Sequence, residues 1–181
     1  MPQAGLKVRM ARVQTETRVR MAGTRPDHRS DGKLDPANGH RFRSVAYSRG
    51  WKLTTDGKVP LGCDLQDVLR KEAADWRALL GLEAFRTVEA VSDMIRESLS
   101  ISATRVWTAR EAMKKMGLAA TAPILVDPAS TKRWVIFKSG NTAVFSSTID
   151  TAAREAATCL AVAIEGTDQD RISENALHTL N

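Results

Sequence analysis

Cysteine, histidine and long apolar runs are scarce in this sequence, and each scarcity excludes a class of protein. The two cysteines, Cys63 and Cys159, stand 96 positions apart and are too few for a disulfide scaffold or a zinc site. The three histidines show no metal-ligand spacing. The longest apolar stretch, 159–164, has six residues, whereas a membrane-spanning helix needs about 20.

Signals for secretion and for catalysis are also missing. Lys7, Arg9 and Arg12 interrupt the place where the apolar centre of a secretory signal would lie. The sequence has no glycine-rich phosphate loop and no nucleophile elbow. Cys63, placed beside a predicted helix start that would lower its pKa, has no histidine or acid partner in view. We therefore expect a soluble, reduced, intracellular protein that is not an enzyme and uses no metal or cofactor.

Positive charge is abundant, and it is concentrated in the first third of the chain. Residues 1–60 hold 13 of the 27 Lys and Arg residues but only five of the 21 Asp and Glu residues, which leaves a net charge of −2 on the remainder. Four of the six prolines also fall there. The composition predicts a basic, extended or flexible N-terminal arm over 1–60 and a globular body over 61–181.

A basic arm on a nearly neutral body favours contact with nucleic acid, because Lys and Arg displace counterions from phosphates without needing a preformed pocket. The interleaved aromatic residues Phe42, Tyr47 and Trp51 are candidates for stacking on unpaired bases. We expect low sequence specificity, a body that docks on a protein partner or assembly, and no membrane contact. The candidate phosphate-binding residues are Lys7, Arg9, Arg12, Arg18, Arg20, Arg25, Arg29, Arg41, Arg43, Arg49, Lys52, Lys132, Arg133 and Lys138.

Other interpretations of the same features stay open. The arm is also compatible with insertion into an acidic protein, which would make the chain an assembly factor or inhibitor. Leu6, Met10, Val13 and Thr17 recur at helical spacing among arginines, as in an organelle transit peptide. An inert tail, or a start codon placed too early, would look similar. A further alternative is a DNA-binding regulator that uses the helix and strands predicted over 108–147.

Three helices are predicted in the first part of the body. Apolar residues at intervals of three or four predict helices over 64–80 and about 83–98, separated by Gly81 and arranged as an antiparallel hairpin. Asp64 and Asp67 then lie at a helix start, where they would offset the helix dipole. A Thr-x-x-Glu capping box from Thr108 predicts a third helix that ends at Gly117.

Short β-rich runs follow these helices. Residues 123–127, 133–138 and 142–147 predict three antiparallel strands, and an alanine-rich run from Asp150 to Gly166 predicts a helix that backs them. A turn at Thr55–Lys58 predicts a short hairpin near 51–61, and apolar residues over 172–180 predict a last helix. The predicted fold class is α+β, a helical hairpin plus a three-stranded antiparallel meander with a backing helix. Trp76 and Trp134 are predicted core residues, since each lies on an apolar stripe.

Parts of this pattern resemble known nucleic-acid-binding folds. The runs 134–137 and 144–157 resemble the second half of AP2-type DNA-binding domains, although the first strand, 124–127, lacks the arginines of that family. The order α-β-β-β-α from residue 108 resembles the double-stranded-RNA-binding fold, although no lysine begins the last helix. The capped helix 108–117 resembles the first helix of a helix-turn-helix reader. These resemblances imply DNA or RNA contact through the meander.

Overall fold

A computed structural model describes residues 6–9, 16–21, 41–48, 51–149 and 157–166, and every structural statement below concerns these residues. Within them the chain forms nine strands and three helices. The strands are β1 (Leu6–Arg9), β2 (Glu16–Met21), β3 (Phe42–Ser48), β4 (Trp51–Gly57), β5 (Leu61–Asp67), β6 (Leu125–Val126), β7 (Val135–Ser139), β8 (Thr142–Ile149) and β9 (Thr158–Glu165). The helices are α1 (Ala73–Leu80), α2 (Leu82–Ile95) and α3 (Leu99–Met116). No helix in this part of the chain is long and apolar enough to cross a membrane.

The strands form two antiparallel sheets. The first sheet has the order β1-β2-β4-β3, and the second has the order β5-β9-β8-β7-β6. All three helices fall between β5 and β6 in the chain, and α3 packs across β5, β9 and β8. Two separate apolar cores follow from this arrangement. One lies between the helices and the second sheet, and the other lies between the second sheet and the β3–β4 hairpin.

The fold is therefore not the predicted helical hairpin with a three-stranded meander. The alanine-rich run assigned to a backing helix contains β9, which pairs with both β5 and β8. Its alternate residues serve the two cores: Ala161 and Ala163 face the helices, whereas Leu160, Val162 and Ile164 face the first sheet. A strand buried on both faces has no polar side, and its continuous apolar run is easily taken for a helix. Residues 150–156 and the predicted helix over 172–180 lie outside the described residues.

The first predicted helix was also wrong at its start. Residues 61–67 form β5, and α1 begins only at Ala73. Cys63 and Leu65 lie in the core against the first sheet, and Leu61 is buried at the same spacing of two; this period outweighs the helical spacing because β9 is available for pairing. Gly81 separates α1 from α2, and the prediction of α2 itself is confirmed within a few residues.

The predicted capping box at Thr108 lies inside α3 rather than at its beginning. The helix starts after Ser98, whose Oγ accepts a hydrogen bond from the backbone N–H of Ile101. The buried Thr108 hydroxyl instead donates to the carbonyl of Thr104 at 2.7 Å. Gly117 does end the helix, in the left-handed conformation with φ of 105°. In the described residues, β9 follows β8 where the last helix was expected, so the order α-β-β-β-α is not formed there. This removes the basis of the resemblances to the AP2-type and double-stranded-RNA-binding folds.

The predicted hairpin near 51–61 was displaced by one strand. β4 pairs with β3 and not with the residues after Gly57. The antiparallel order of β6, β7 and β8 agrees with the sequence prediction, although β6 has only two residues. Trp76 and Trp134 are confirmed as core residues, at 0% and 6% exposed.

One close contact sets the distance between α3 and the second sheet. A Cβ at Gly62 would lie 2.0 Å from the carbonyl oxygen of Ala112 and 2.9 Å from the backbone nitrogen of Met116. Both atoms belong to the helix backbone, so they cannot rotate away as a side chain would. The glycine therefore allows α3 to rest directly on β5.

We predict that Gly62→Ala lowers the free energy of unfolding by about 3 kcal/mol, the upper end of the usual cost of overpacking. The added methyl must push α3 off the sheet. Urea denaturation measures the change. Gly140→Ala is the matched control: a Cβ there meets nothing within 4 Å and φ is 55°, so only left-handed strain of about 1 kcal/mol is expected. Equal losses in the two variants would contradict the close contact.

We also predict that Trp76→Ala costs about 3–5 kcal/mol, because it empties a fully buried site between the helices. Trp76→Phe is expected to cost much less. The indole N–H has no hydrogen-bond partner among the described residues, so phenylalanine loses only packing. Equilibrium unfolding of both variants checks this, and a similar cost for both would show that the indole N–H matters.

Candidate nucleic-acid interface

The outer face of the first sheet gathers basic residues from four strands. Ala46 and Leu53 lie in the core against the second sheet, so residues 43, 45 and 47 of β3 and 52, 54 and 56 of β4 face the other way. Cross-strand partners share a face of a sheet. The register therefore adds the following positions of β1 and β2 to that face: Lys7, Arg9, Glu16, Arg18 and Arg20.

The residues of this face form three rows across the sheet. The first row is Arg9, Glu16, Asp56 and Arg43, in which two basic positions flank two acidic ones. Arg43 donates from Nε to Oδ1 of Asp56 at 2.6 Å and from Nη2 to Oδ2 at 3.1 Å. The Asp56 side chain is only 5% exposed. This end of the face is charge-compensated, and Arg43 already has an anionic partner.

The other two rows carry basic residues without acidic ones. The second row is Lys7, Arg18, Thr54 and Val45, and the third row is Arg20, Lys52 and Tyr47. Tyr47 is 46% exposed, and the Nζ of Lys52 lies 5.9 Å from the centroid of its ring. We call these two rows the cationic end of the outer face. It combines four basic positions with one accessible aromatic ring.

The structure does not join the remaining predicted residues to this face. Arg12, Arg25, Arg29 and Arg49 lie outside the described residues. Arg41 is exposed just before β3. Lys132 and Arg133 are exposed in the connection between β6 and β7, two strands of the second sheet. Of the predicted stacking residues, Trp51 is half-buried against the core, and Phe42 is 37% exposed at the far end of β3 from Tyr47.

Lys138 is engaged in an ion pair. Its Nζ lies 2.6 Å from Oδ2 of Asp127. This hydrogen bond, together with one from the backbone N–H of Ala129, lowers the pKa of the Asp127 carboxyl. Asp127 therefore stays ionised at neutral pH and compensates the positive charge of Lys138, which the sequence analysis had named as a phosphate-binding candidate.

Arg105 is a cation that sequence inspection did not single out, and it has a structural role. Its side chain is 1% exposed, and its Nε lies 3.1 Å from Oε1 of Glu97, itself 5% exposed. The guanidinium also donates to the carbonyls of Ser146 and Lys132 at 3.1 and 3.2 Å. It ties α3 to β8 and to the segment before β7. Such partners offset the cost of burying a charge, which is the structural role of the Glu97 carboxylate and the two carbonyls here.

The acidic pair Asp64 and Asp67 lies in β5 and not at a helix start. Asp64 pairs with Nζ of Lys115 at 2.7 Å, and burial raises its pKa against the lowering effect of that lysine. Asp67 accepts a hydrogen bond from the hydroxyl of Thr158 at 2.8 Å. Both carboxylates link β5 to its neighbours. Among the described residues, no group of three or more His, Cys, Asp and Glu is placed to hold a metal ion.

Both cysteines are buried, which corrects the expectation of a lowered pKa at Cys63. Burial raises the pKa of the Cys63 thiol to about 11, although hydrogen bonds with Ser44 and Thr55 act in the opposite direction. Burial likewise raises the pKa of Cys159 to about 12. The charge of the nearby Arg105 lowers that value only in part.

No protein-family profile matches this chain, and no curated protein resembles it closely enough to count as a relative. The function is therefore argued from the residues of the outer face.

We predict that neither thiol reacts readily in the folded protein. Because only the thiolate is nucleophilic, pKa values near 11 and 12 should slow alkylation by iodoacetamide at pH 8 by about 100-fold or more relative to the unfolded chain. Mass spectrometry of the protein labelled with and without urea measures this. Rapid labelling of one cysteine in native protein would mean that its strand is accessible.

Proposed function

We propose that this protein binds nucleic acid through the outer face of its first sheet, with Lys and Arg residues contacting phosphates and with little dependence on sequence. The role is binding without catalysis. A protein partner for the rest of the chain stays a prediction. The proposal covers DNA and RNA alike, because both carry the phosphates that the basic residues would contact.

One observation carries the proposal. The strand register brings Lys7, Arg18, Arg20 and Lys52 together at the cationic end, and neither of its two rows contains an acidic residue. Adjacent strands lie about 4.8 Å apart, so the three strands that carry these charges, β1, β2 and β4, present them over a width of about 10 Å. Clustered positive charge of this kind attracts a polyanion by releasing its counterions.

The charge distribution of the whole chain supports the same proposal. Residues 61–181 carry a net charge of −2, so the attraction for a polyanion must come from the first 60 residues. In the rest of the described chain, Lys138 of β7 is paired with Asp127, and Arg105 of α3 is paired with Glu97. The ion pair between Arg43 and Asp56 compensates the charge of Arg43 at the other end of the outer face.

We predict that the double substitution Arg18→Ala and Arg20→Ala weakens binding to a fluorescein-labelled oligonucleotide at least about 10-fold at low salt. It should also flatten the slope of log K against log salt by roughly 1 to 2, because each lost phosphate contact contributes about 0.7 to 0.9. Fluorescence anisotropy at several salt concentrations measures both quantities in the full chain.

The matched control is Lys132→Ala with Arg133→Ala, which removes the same charge from exposed positions of the second sheet. Its affinity and salt slope should stay close to those of the unaltered protein. A larger loss in this control would move the binding site to the second sheet. The absence of oligonucleotide binding by the unaltered protein would contradict the proposed function outright.

A further inference from the structure

We infer that the cationic end of the outer face takes single-stranded nucleic acid, with one unpaired base stacked on the ring of Tyr47. This inference rests on the proposed function and specifies its ligand. Tyr47 is the only tyrosine in the chain. It is 46% exposed on the edge strand β3, in the same row of the outer face as Lys52 and the backbone position of Arg20.

The surroundings of the ring match what a stacked nucleotide requires. A base has a flat aromatic face and is linked through its sugar to a phosphate, so its site needs an aromatic face with a cation beside it. Tyr47 lies directly across from Lys52, whose other cross-strand neighbour is Arg20. Strand β2 lies two strands, or about 10 Å, from β3. Lys52 and the backbone of Arg20 thus lie on the two strands next in order to β3, within about 10 Å of the strand that carries the ring.

The Lys52 ammonium lies over the face of the ring on which a base would stack. The Nζ of Lys52 lies 5.9 Å from the Tyr47 centroid, a weak cation–π contact at a partly exposed site. When a base stacks on the ring, the ammonium is displaced toward the phosphate of the same nucleotide. The contact that is lost is small, and a charge-assisted hydrogen bond to phosphate replaces it.

The ring also discriminates between single and double strands. In a duplex the bases are paired and stacked on one another, so an aromatic side chain on a sheet meets only phosphates and sugars. A single strand exposes the faces of its bases. Tyr47 should therefore add affinity for single strands alone, whereas the basic residues act on both.

The first experiment compares Tyr47→Ala with Tyr47→Phe in the full chain. The probes are a labelled oligothymidine of roughly 12 nucleotides, within the site size of similar binding surfaces, and a duplex of the same length. Tyr47→Ala should weaken single-strand binding by roughly 5- to 150-fold, the measured range for loss of one stacked base. Tyr47→Phe keeps the ring and should restore affinity to within about 2-fold.

Phe42→Ala is the matched control, because Phe42 is the other exposed aromatic residue of β3 and the alternation of the strand places it on the opposite face of the sheet from Tyr47. It should leave single-strand affinity unchanged. An equal loss with Phe42→Ala, or an equal loss on the duplex with Tyr47→Ala, would overturn stacking at Tyr47. A thermal melt of each variant verifies that the sheet has kept its fold.

A second measurement detects the stacked ring itself. Because the chain has one tyrosine, tyrosine-specific isotope labelling gives a single set of ring signals in an NMR spectrum. Oligothymidine should move them upfield through the ring current of the base, and the duplex should not. Unmoved signals at saturating oligothymidine would overturn the inference.

The two proposals fail in different ways. Loss of affinity in the Arg18 and Arg20 variant, with full affinity in Tyr47→Ala, would keep the basic interface and reject the stacking. Binding to neither probe would reject the interface and the stacking together. Preferential binding to an acidic polypeptide such as polyglutamate would assign the outer face to a protein partner instead, and would overturn both.

Discussion

Burial of the second sheet on both faces is the constraint on which the rest of the structure depends. The helices cover one face and the β3–β4 hairpin covers the other. Each central strand must then supply two kinds of apolar surface. β9 does so with small residues toward α3 and large residues toward the first sheet. In β5, Gly62 has no Cβ, so the backbone of α3 can pack directly against the strand.

This constraint also decides which surface is left for function. The inner face of the first sheet packs against the second sheet, and its residues Ala46 and Leu53 are buried in the core between them. Only the outer face can display charge, and the strict alternation of a strand sends every second residue there. The basic residues of β1 to β4 therefore lie together because of a packing requirement on the opposite side of the same strands. The ion pair of Arg43 with Asp56 then leaves the opposite end of that face cationic.

The sequence predicted the elements whose apolar residues recur with a single period. It missed the strands β5 and β9, which are buried on both faces between the helices and the first sheet. The apolar stripe of α2 and the short turns between β6, β7 and β8 depend on local spacing, so they were predicted well. β5 and β9 were assigned to helices because their partners lie far away in the chain and both of their faces are buried. Charge composition identified Lys7, Arg18, Arg20 and Lys52 as binding candidates. Their grouping depends on strand register, and no composition argument contains that information.

The pairing of β5 with β9 has a consequence for the order in which this chain can fold. Leu61 pairs with Ile164, so during synthesis on the ribosome β5 cannot form its strand pairing until β9, about 100 residues later in the chain, has been made. At synthesis rates of 5 to 20 residues per second, that wait is roughly 5 to 20 s. During it, Cys63 and Leu65 have no completed sheet beside them, and only α3 and the β3–β4 hairpin are available as cover. Sequence-distant strand pairing of this kind slows folding. Until β9 emerges, the excess of Lys and Arg over Asp and Glu in residues 1–60 favours repulsion between copies of the nascent chain over their association.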